Sequence, residues 1–476
     1  MEKNTVNIAR KLGISSTTIK DWVRDFELKN ICSNREYDDS AIEAIIETIK
    51  NLKEDNRGLV TIKRAINTRL QQDINNQLKV YKEKLKNEKY EPTITSSNLD
   101  YTAFSTSPRP YGNNVWIEIN IEAFVKNIFT IKQFISPKTK IMGVVKADAY
   151  GHGSEYLTPI AISTGVIDQL GVATVAEGEK LRNNGIKIPI LVLGALLPHQ
   201  IPAALKNDLQ IIANSIDILR VANATAESEG KIINVHLKID TGMGRIGVSP
   251  EQVISIIEDL KFLRGVKLQG ICTHFAMSES IGISNYTKQQ FELFCYIINR
   301  IKEKIELPAL HVANTDAIFL HPDTHLDIVR PGIGMYGLCS NEKINLQPIL
   351  TLNGCITQIR EFPAGSKLGY GCKFITKNNS QIAIVPIGYA DGLPRILSNN
   401  QDVLVQGKRC PIVGMISMDQ CLIDITGLKV KLGEKVTFLG RQGKEEITAK
   451  EWAKNANTIP YEILCGLGNR LTRYYI

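Results

Sequence analysis

The feature that most constrains this chain is an alternation that begins at Trp116. Short apolar runs rich in β-branched residues (KIMGVVKA, GVATV, IPILVLGA, LQIIA, INVHLKID and VKLQGICTHF) take turns with helical patterns such as EQVISIIEDLKFL and KQQFELFCYIINRIKEKI. A strand that is apolar along its whole length is buried on both faces. A helix after each strand returns the chain to start the next one in the same direction, which makes a parallel α/β sheet. About eight such units fit between residues 116 and 340, as a closed (β/α)8 TIM barrel requires. The pattern therefore predicts a barrel over residues 113–345. Past residue 345 the texture changes to strands and turns without long helices (ILTLNGCITQIREF, QIAIVPIGYA, DVLVQGKRCPIVGM, KVTFLGRQG), which predicts a C-terminal β domain over residues 346–476.

The front of the chain reads differently. TVNIARKLG has Val6, Ile8 and Ala9 on one helical face and ends on Gly13. Ser15 or Ser16 then caps TTIKDWVRDF, with Ile19, Trp22 and Val23 at helical spacing. Helix, glycine-containing turn and helix make a helix-turn-helix outline, so residues 1–75 are expected to form a small α-helical domain. Residues 76–112 are polar, then rich in Pro, Ser and Thr, as expected of an exposed linker. The net charge of +8 does not single out this part, because residues 1–106 carry 18 Lys/Arg against 16 Asp/Glu. The charge neither demands nor excludes a nucleic-acid partner.

No apolar run approaches the ~20 residues of a membrane span, and the N-terminus lacks the apolar core of a signal peptide. Nine scattered cysteines without a CxxC pair argue against a disulfide framework and against a zinc site. The expectation is a cytoplasmic protein with no bound metal.

Chemistry concentrates in GVVKADAYGHG, residues 143–153. Lys146 stands at the C-terminal end of an apolar strand, where barrels carry catalytic groups. An amine lifted out of water there can form a Schiff base with an aldehyde. Taken alone, a strand-end lysine is more often a solvated surface residue. The segment, however, resembles the cofactor-lysine signature of alanine racemases. The likeness runs in order through LKIDTGMGRIG (237–247), THFAMS (273–278), HVANTDA (311–317), VRPGIGMYG (329–337), LGYG (368–371), PIGYADG (386–392) and GMISMDQ (414–420).

That resemblance implies a pyridoxal 5'-phosphate enzyme interconverting L- and D-alanine, supplying D-alanine for peptidoglycan, and working as a homodimer with shared active sites. It makes Lys146 the cofactor-bearing base and Tyr370 the base on the opposite face, reaching in from the partner subunit. Two such groups are needed, because racemisation removes a proton from one face of Cα and returns one to the other. Arg330 would face the pyridine nitrogen, with His274 and His311 around it. Tyr150, Thr315, Gly332, Ile333 and Tyr461 would hold the phosphate. Arg245 would bind the cofactor's phenolic oxygen and the substrate carboxylate, oriented by Lys238, a residue that is carboxylated in several members of the family. Met418, Asp419 and Tyr389 would lie on the substrate side. On residue type alone, Tyr370 is a turn tyrosine, and each histidine could equally be a satisfied core residue.

Three rivals share part of these signals. A racemase of another small amino acid such as serine would look much the same. A diamino-acid decarboxylase relative lacks the DTGMGR and SMDQ contexts. A DNA-binding regulator using the barrel as a sensor should have lost a catalytic residue, yet Lys146, Tyr370, Arg245, Arg330 and Asp419 are all present. The first 75 residues resemble the winged helix-turn-helix of MerR-type regulators, which implies that Thr17, Thr18 and Lys20 face the major groove and Arg35 and Tyr37 sit on the wing.

Overall fold

The computed structural model describes residues 113–279 and 286–476. The expected helix-turn-helix, with Thr17, Thr18, Lys20, Arg35 and Tyr37, and the expected linker lie outside the described residues. Two units emerge. One comprises Val125–Val144 and Pro159–Leu346; the other comprises 113–124, Val145–Thr158 and Gln347–Ile476.

The first strand, β1 (Val115–Ile119), departs from expectation. It is not a barrel strand but pairs antiparallel with β10 (Leu350–Cys355) and parallel with β20 (Thr472–Tyr475) in the second unit. Its apolar run VWIEI looks like a barrel strand because periodicity reports burial and says nothing about which sheet supplies it.

The barrel begins at β2 (Lys140–Val144) and continues through β3 (Gln169–Val172), β4 (Ile190–Val192), β5 (Gln210–Ala213), β6 (Ile233–Lys238), β7 (Val266–Cys272), β8 (Ala309–His311) and β9 (Ile328–Val329). The order is β8-β7-β6-β5-β4-β3-β2-β9, every pair parallel. The β8/β9 seam is drawn together by Asp327 N–H donating to Leu310 O (3.1 Å) and Arg330 N–H to Ala313 O (2.9 Å), with a parallel bridge between Asn314 and Arg330. Met142, Leu191, Ile212, Cys272 and Ile328 fill the middle as one buried cluster. Each such large apolar side chain contributes roughly 1.5–3 kcal/mol by leaving water.

Connecting helices begin with α1 (Ile121–Gln133) and α2 (Ser154–Ser163), followed by α3 (Val175–Asn183), α4 (Ile201–Lys206), α5 (Ile216–Ser228), α6 (Val253–Asp259), α7 (Tyr286–Lys302) and α8 (Thr315–Leu320). Their starts are chemically marked. Thr174 and Glu177 form a reciprocal capping box on α3, Ser215 caps α5, and Asn314 caps α8. Each cap is worth about 1 kcal/mol. None of the described helices is long and apolar enough to cross a membrane.

The second unit is a β sheet in the order β11-β14-β17-β16-β15-β18-β10-β1-β20. Its further strands are β11 (Gln358–Phe362), β14 (Ser380–Val385), β15 (Asp402–Val405), β16 (Lys408–Val413), β17 (Cys421–Asp424) and β18 (Lys435–Gln442), with β19 (Glu445–Ile447) on β18. A separate hairpin of β12 (Lys367–Leu368) and β13 (Phe374–Ile375) stands apart from the sheet order, and two short helices, α9 (Ala449–Asn455) and α10 (Pro460–Cys465), close the unit.

This unit also contains the segment after β2, which takes an unusual path. Ala147, Asp148, Ala149 and Tyr150 all have φ between 50° and 55° with ψ between 40° and 51°, one turn of left-handed helix. L-residues resist that conformation by roughly 1–2 kcal/mol each. Several contacts hold it. Ser154 donates from N and Oγ to Asp148 Oδ1 (2.8 Å each), Arg473 Nε donates to Gly151 O (2.8 Å), and Tyr475 Oη to His152 O (3.1 Å). Gly151 has φ +81°, and a Cβ there would collide with Leu464 O. Gly151→Ala is expected to lower stability by at least about 2 kcal/mol, because strain and collision act together. A urea melt with an unchanged midpoint would contradict this account of the turn.

Candidate active site

The barrel unit gathers its polar residues around Arg330, one residue beyond β9. The residue is 6 % exposed. Its Nη1 donates to His311 Nδ1 (2.9 Å), and its Nη2 donates to Thr273 O (2.9 Å), Val312 O (2.9 Å) and His274 Nδ1 (3.1 Å). Among the described residues no carboxylate pairs with it. Burial pushes its pKa down, yet an arginine remains a cation at any ordinary pH. Both histidines must therefore accept from it through an unprotonated Nδ1. Burial, and then the nearby Arg330, hold His311 well below the usual imidazole range, so the ring is neutral.

Lys238, the last residue of β6, is also buried. Its amine is lowered by burial above all, opposed by the Cys272 thiol and reinforced by the guanidiniums of Arg330 and Arg245. A lysine pushed toward its neutral form is the form that takes up carbon dioxide. Arg245 itself is exposed, on a loop that Asp240 stiffens by accepting from Gly242 N–H (2.9 Å) and Gly244 N–H (3.1 Å).

Thr315, the first residue of α8, meets the turn after β9. Thr315 Oγ1 accepts from the backbone N–H of Gly332 (3.0 Å) and Gly334 (3.2 Å), and Ile333 opens the short turn Ile333–Tyr336. With both amides donating to its oxygen, the Thr315 hydroxyl keeps its own proton to donate to an anion.

The second unit gathers the rest. Lys146, two residues past β2, is half-buried at the head of the left-handed turn. Tyr150 closes that turn with its ring 5.9 Å from the Tyr461 ring, and its burial raises the phenol's pKa strongly. His152 must donate from Nδ1, since its partners there are the carbonyls of Ala149 and Tyr150; burial brings its pKa down to about 4.

Tyr370 sits on the loop of the β12/β13 hairpin and is 71 % exposed. Gly369 before it has φ +69° and Gly371 after it φ +68°, so the glycines of LGYG make the turn that projects the phenol. Tyr389 lies beside the loop that carries Met418 and Asp419. Its N–H donates to Ser417 O (3.1 Å) and that of Ala390 to Met418 O (3.0 Å), while Gly388 leaves no room for a Cβ against those carbonyls. Arg470 fastens this arrangement, donating to Asp391 Oδ1 from Nε (3.0 Å) and Nη2 (2.8 Å) and to Asp419 Oδ1 from Nη2 (2.8 Å).

With this geometry in place, comparison with known proteins decides the family. The model of the alanine racemase N-terminal domain matches residues 119–340, and that of the alanine racemase C-terminal domain matches residues 349–475. The chain belongs to the alanine racemase family. An alanine racemase of Methanococcus maripaludis is 40% identical over 370 residues, covering 76% of this chain and 98% of its own. One of a Nostoc species is 41% identical over 374 residues, covering 76% and 96%. Among solved structures, the Clostridium difficile 630 alanine racemase has a TM-score of 0.73 at 35% identity, covering 77% of this chain and 97% of its own. The Bartonella henselae enzyme, solved with covalently bound pyridoxal phosphate, has a TM-score of 0.70 at 29% identity, covering 76% and 99%. Alanine racemases are isomerases that depend on pyridoxal phosphate.

The residues fit such a cofactor. In the barrel unit, a buried cation without a carboxylate suits a ring nitrogen and the Thr315 hydroxyl suits a phosphate; in the second unit, the half-buried Lys146 has an amine of the kind an aldehyde takes. Within the barrel unit, His274 and His311 meet Arg330, Lys238 feels the charges of Arg330 and Arg245, and Thr315 meets Gly332. Within the second unit, Tyr150 meets Tyr461, and Tyr389 meets the Met418–Asp419 loop. Reasoning from sequence missed Arg470 and Asp391, Arg473, and the pair Gln210 and His236. Two of these left a trace: Asp391 lies inside PIGYADG, and His236 interrupts the apolar run INVHLK.

Arg470→Met should release Asp419 and raise the KM for alanine by roughly fivefold or less, the range of an exposed ion pair, with the melting temperature little changed. A KM equal to that of the parent would show that Asp419 needs no such anchor.

Proposed function

We propose that this protein is a homodimeric alanine racemase that converts L-alanine to D-alanine and back by a two-base mechanism, with Lys146 and Tyr370 as the bases. The observation that carries the proposal is the buried, carboxylate-free Arg330 backed by two histidines that can only accept. When bound, pyridoxal phosphate supplies an aldehyde for the lysine amine and a conjugated ring that spreads the charge left when Cα loses its proton.

The chain's own groups do the rest. Arg330 donates toward the ring nitrogen and, being unable to give up its proton, leaves that nitrogen unprotonated; an acidic residue there would strengthen the electron sink. The weaker sink favours simple proton return over decarboxylation or transamination. Lys146 Nζ takes or gives the Cα proton on one face and Tyr370 Oη on the other. Thr315, the N–H groups of Gly332 and Ile333, and the hydroxyls of Tyr150 and Tyr461 hold the phosphate. Arg245, with Lys238 behind it, binds the substrate carboxylate and the phenolic oxygen, and His274 steadies Arg330. Met418, Asp419 and Tyr389 bound the substrate from the partner subunit.

Exposure supports the dimer. Tyr370 (71 %), Met418 (53 %) and Tyr389 (44 %) are open to solvent in a single chain. A phenol acting as a base needs a drier setting, which a second copy of the chain would provide. The D-alanine formed would serve peptidoglycan synthesis.

Lys146→Ala should lose both racemisation and the visible absorbance of lysine-bound cofactor. Tyr370→Phe should keep the cofactor and fall by about 100-fold or more in turnover, while solvent deuterium still enters Cα of the one enantiomer that Lys146 deprotonates. Mixed and re-associated, the two variants should regain activity, because a mixed dimer contains one site with both bases. Exchange lost equally for both enantiomers would refute the two-base assignment, and a fully active monomer in sedimentation would refute the shared site.

The family models leave everything before residue 119 unmatched, so residues 1–112 stand outside the racemase. We propose that residues 1–75 read DNA as a winged helix-turn-helix, two copies per dimer on a roughly palindromic site. Deleting residues 1–110 should leave racemisation intact and abolish sequence-selective, salt-sensitive DNA binding. If the full-length protein enriches no sequence from a random duplex library at low salt, the module does not read DNA.

A further inference from the structure

Arg330 anchors a chain of hydrogen bonds whose direction can be read without seeing a proton. A guanidinium only donates, so His311 Nδ1 accepts and its neutral ring keeps its proton on Nε2. That Nε2–H donates to His236 Nδ1 at 2.8 Å, which leaves the proton of His236 on Nε2. His236 Nε2–H in turn donates to Gln210 Oε1 at 3.0 Å, which fixes the Gln210 amide with its oxygen inward. The polarity is therefore Arg330 to His311 to His236 to Gln210, across β5, β6 and β8.

The barrel is built to admit this chain. The β6/β7 register shifts between Val235 and His236. Facing that point is Gly270, where a Cβ would collide with His236 Nδ1. At its far end the chain reaches an open cavity of about 510 Å³ lined by Gln210 and His236. Lys140, Gln169, Ala309 and Ile328, each the first residue of its strand, also line it, so the cavity lies at the N-terminal mouth of the barrel. Its two carboxylates are tied to the backbone: Asp168 accepts from Ile141 N–H and Asp327 from Leu310 N–H, each at 2.7 Å.

We propose that His236 and Gln210 are positioning residues for Arg330, acting through His311 to hold the guanidinium as a fixed donor. The proposal rests on the reading that Arg330 faces the cofactor ring nitrogen. With Gln210 accepting at the end, each imidazole has one tautomer open to it, and the side of Arg330 turned away from the ring cannot shift. A proton added anywhere in the chain would set two N–H groups against each other. The charged groups around the chain are Arg330 and Lys238 at one end and Lys138, Lys140, Asp168 and Asp327 at the other. Burial, with Arg330 beside it, brings the His236 pKa down to about 4, so both rings stay neutral at working pH.

The test uses holoenzyme with ¹⁵N-labelled histidine, together with Gln210→Glu and Gln210→Met. In the parent, both imidazoles should show the Nε2–H tautomer and no titration above about pH 5. Gln210→Glu sets a carboxylate beside His236, which should then titrate in roughly the pH 5–8 range, with the visible cofactor band shifting over the same interval. Gln210→Met, which removes the acceptor, should lower kcat on the order of tenfold and change KM by less than about twofold. Arg330→Gln, measured alongside, separates the two ideas. If it shifts the cofactor band and neither Gln210 variant changes band or kcat, the positioning role is wrong while the Arg330 reading stands. If Arg330→Gln leaves the band unmoved, the Arg330 reading fails and the positioning role falls with it. An Nδ1–H tautomer at His311 in the parent would overturn the chain directly.

Discussion

Arg330 carries a full positive charge into a site that is 6 % exposed, with no carboxylate beside it among the described residues. Removing such an ion from water costs several kcal/mol, and bonds from charged groups return about 1.5–3 kcal/mol each. The surroundings are consequently a set of acceptors: two backbone carbonyls and two imidazoles in the accepting tautomer. The same uncompensated charge bears on Lys238, whose amine it helps push toward neutrality, and on His236 and His311, which it keeps from charging. An acidic partner would have quieted all of these effects. Its absence gives this end of the barrel its chemistry.

The second unit meets a different constraint. Four consecutive left-handed residues follow Lys146, and none of them is glycine. Such a path persists only where its surroundings over-determine it. Here the last strand does so, with Arg473 and Tyr475 each taking a carbonyl of the turn, and β20 is itself held by parallel pairing with β1. The turn headed by Lys146 is thus steadied by residues more than 300 positions away in sequence, and by a strand that precedes the barrel.

The candidate site residues stand out in the sequence itself. Lys146, Arg330, Tyr370 and Asp419 lie in short motifs where a polar side chain sits beside glycines or at a strand end, and such local grammar survives in sequence. The groups that went unseen act at long range. Arg470 reaches Asp419 across 51 residues, Arg473 reaches Gly151 across 322, and His236 meets His311 across 75. Neither member of such a pair advertises the other, because an arginine near a chain end or one histidine in an apolar strand has many ordinary explanations. The placement of β1 failed for a related reason: a five-residue apolar strand carries no record of its partner.

By itself the sequence determined the parallel barrel, the β domain after it and the family, since burial periodicity and motif spacing are local properties. Only the tertiary structure decided which sheet takes β1, that the lysine turn is left-handed, and which way the protons point behind Arg330. Each of those depends on a partner brought close by folding, and the direction of a hydrogen-bond chain exists only once both ends are in place.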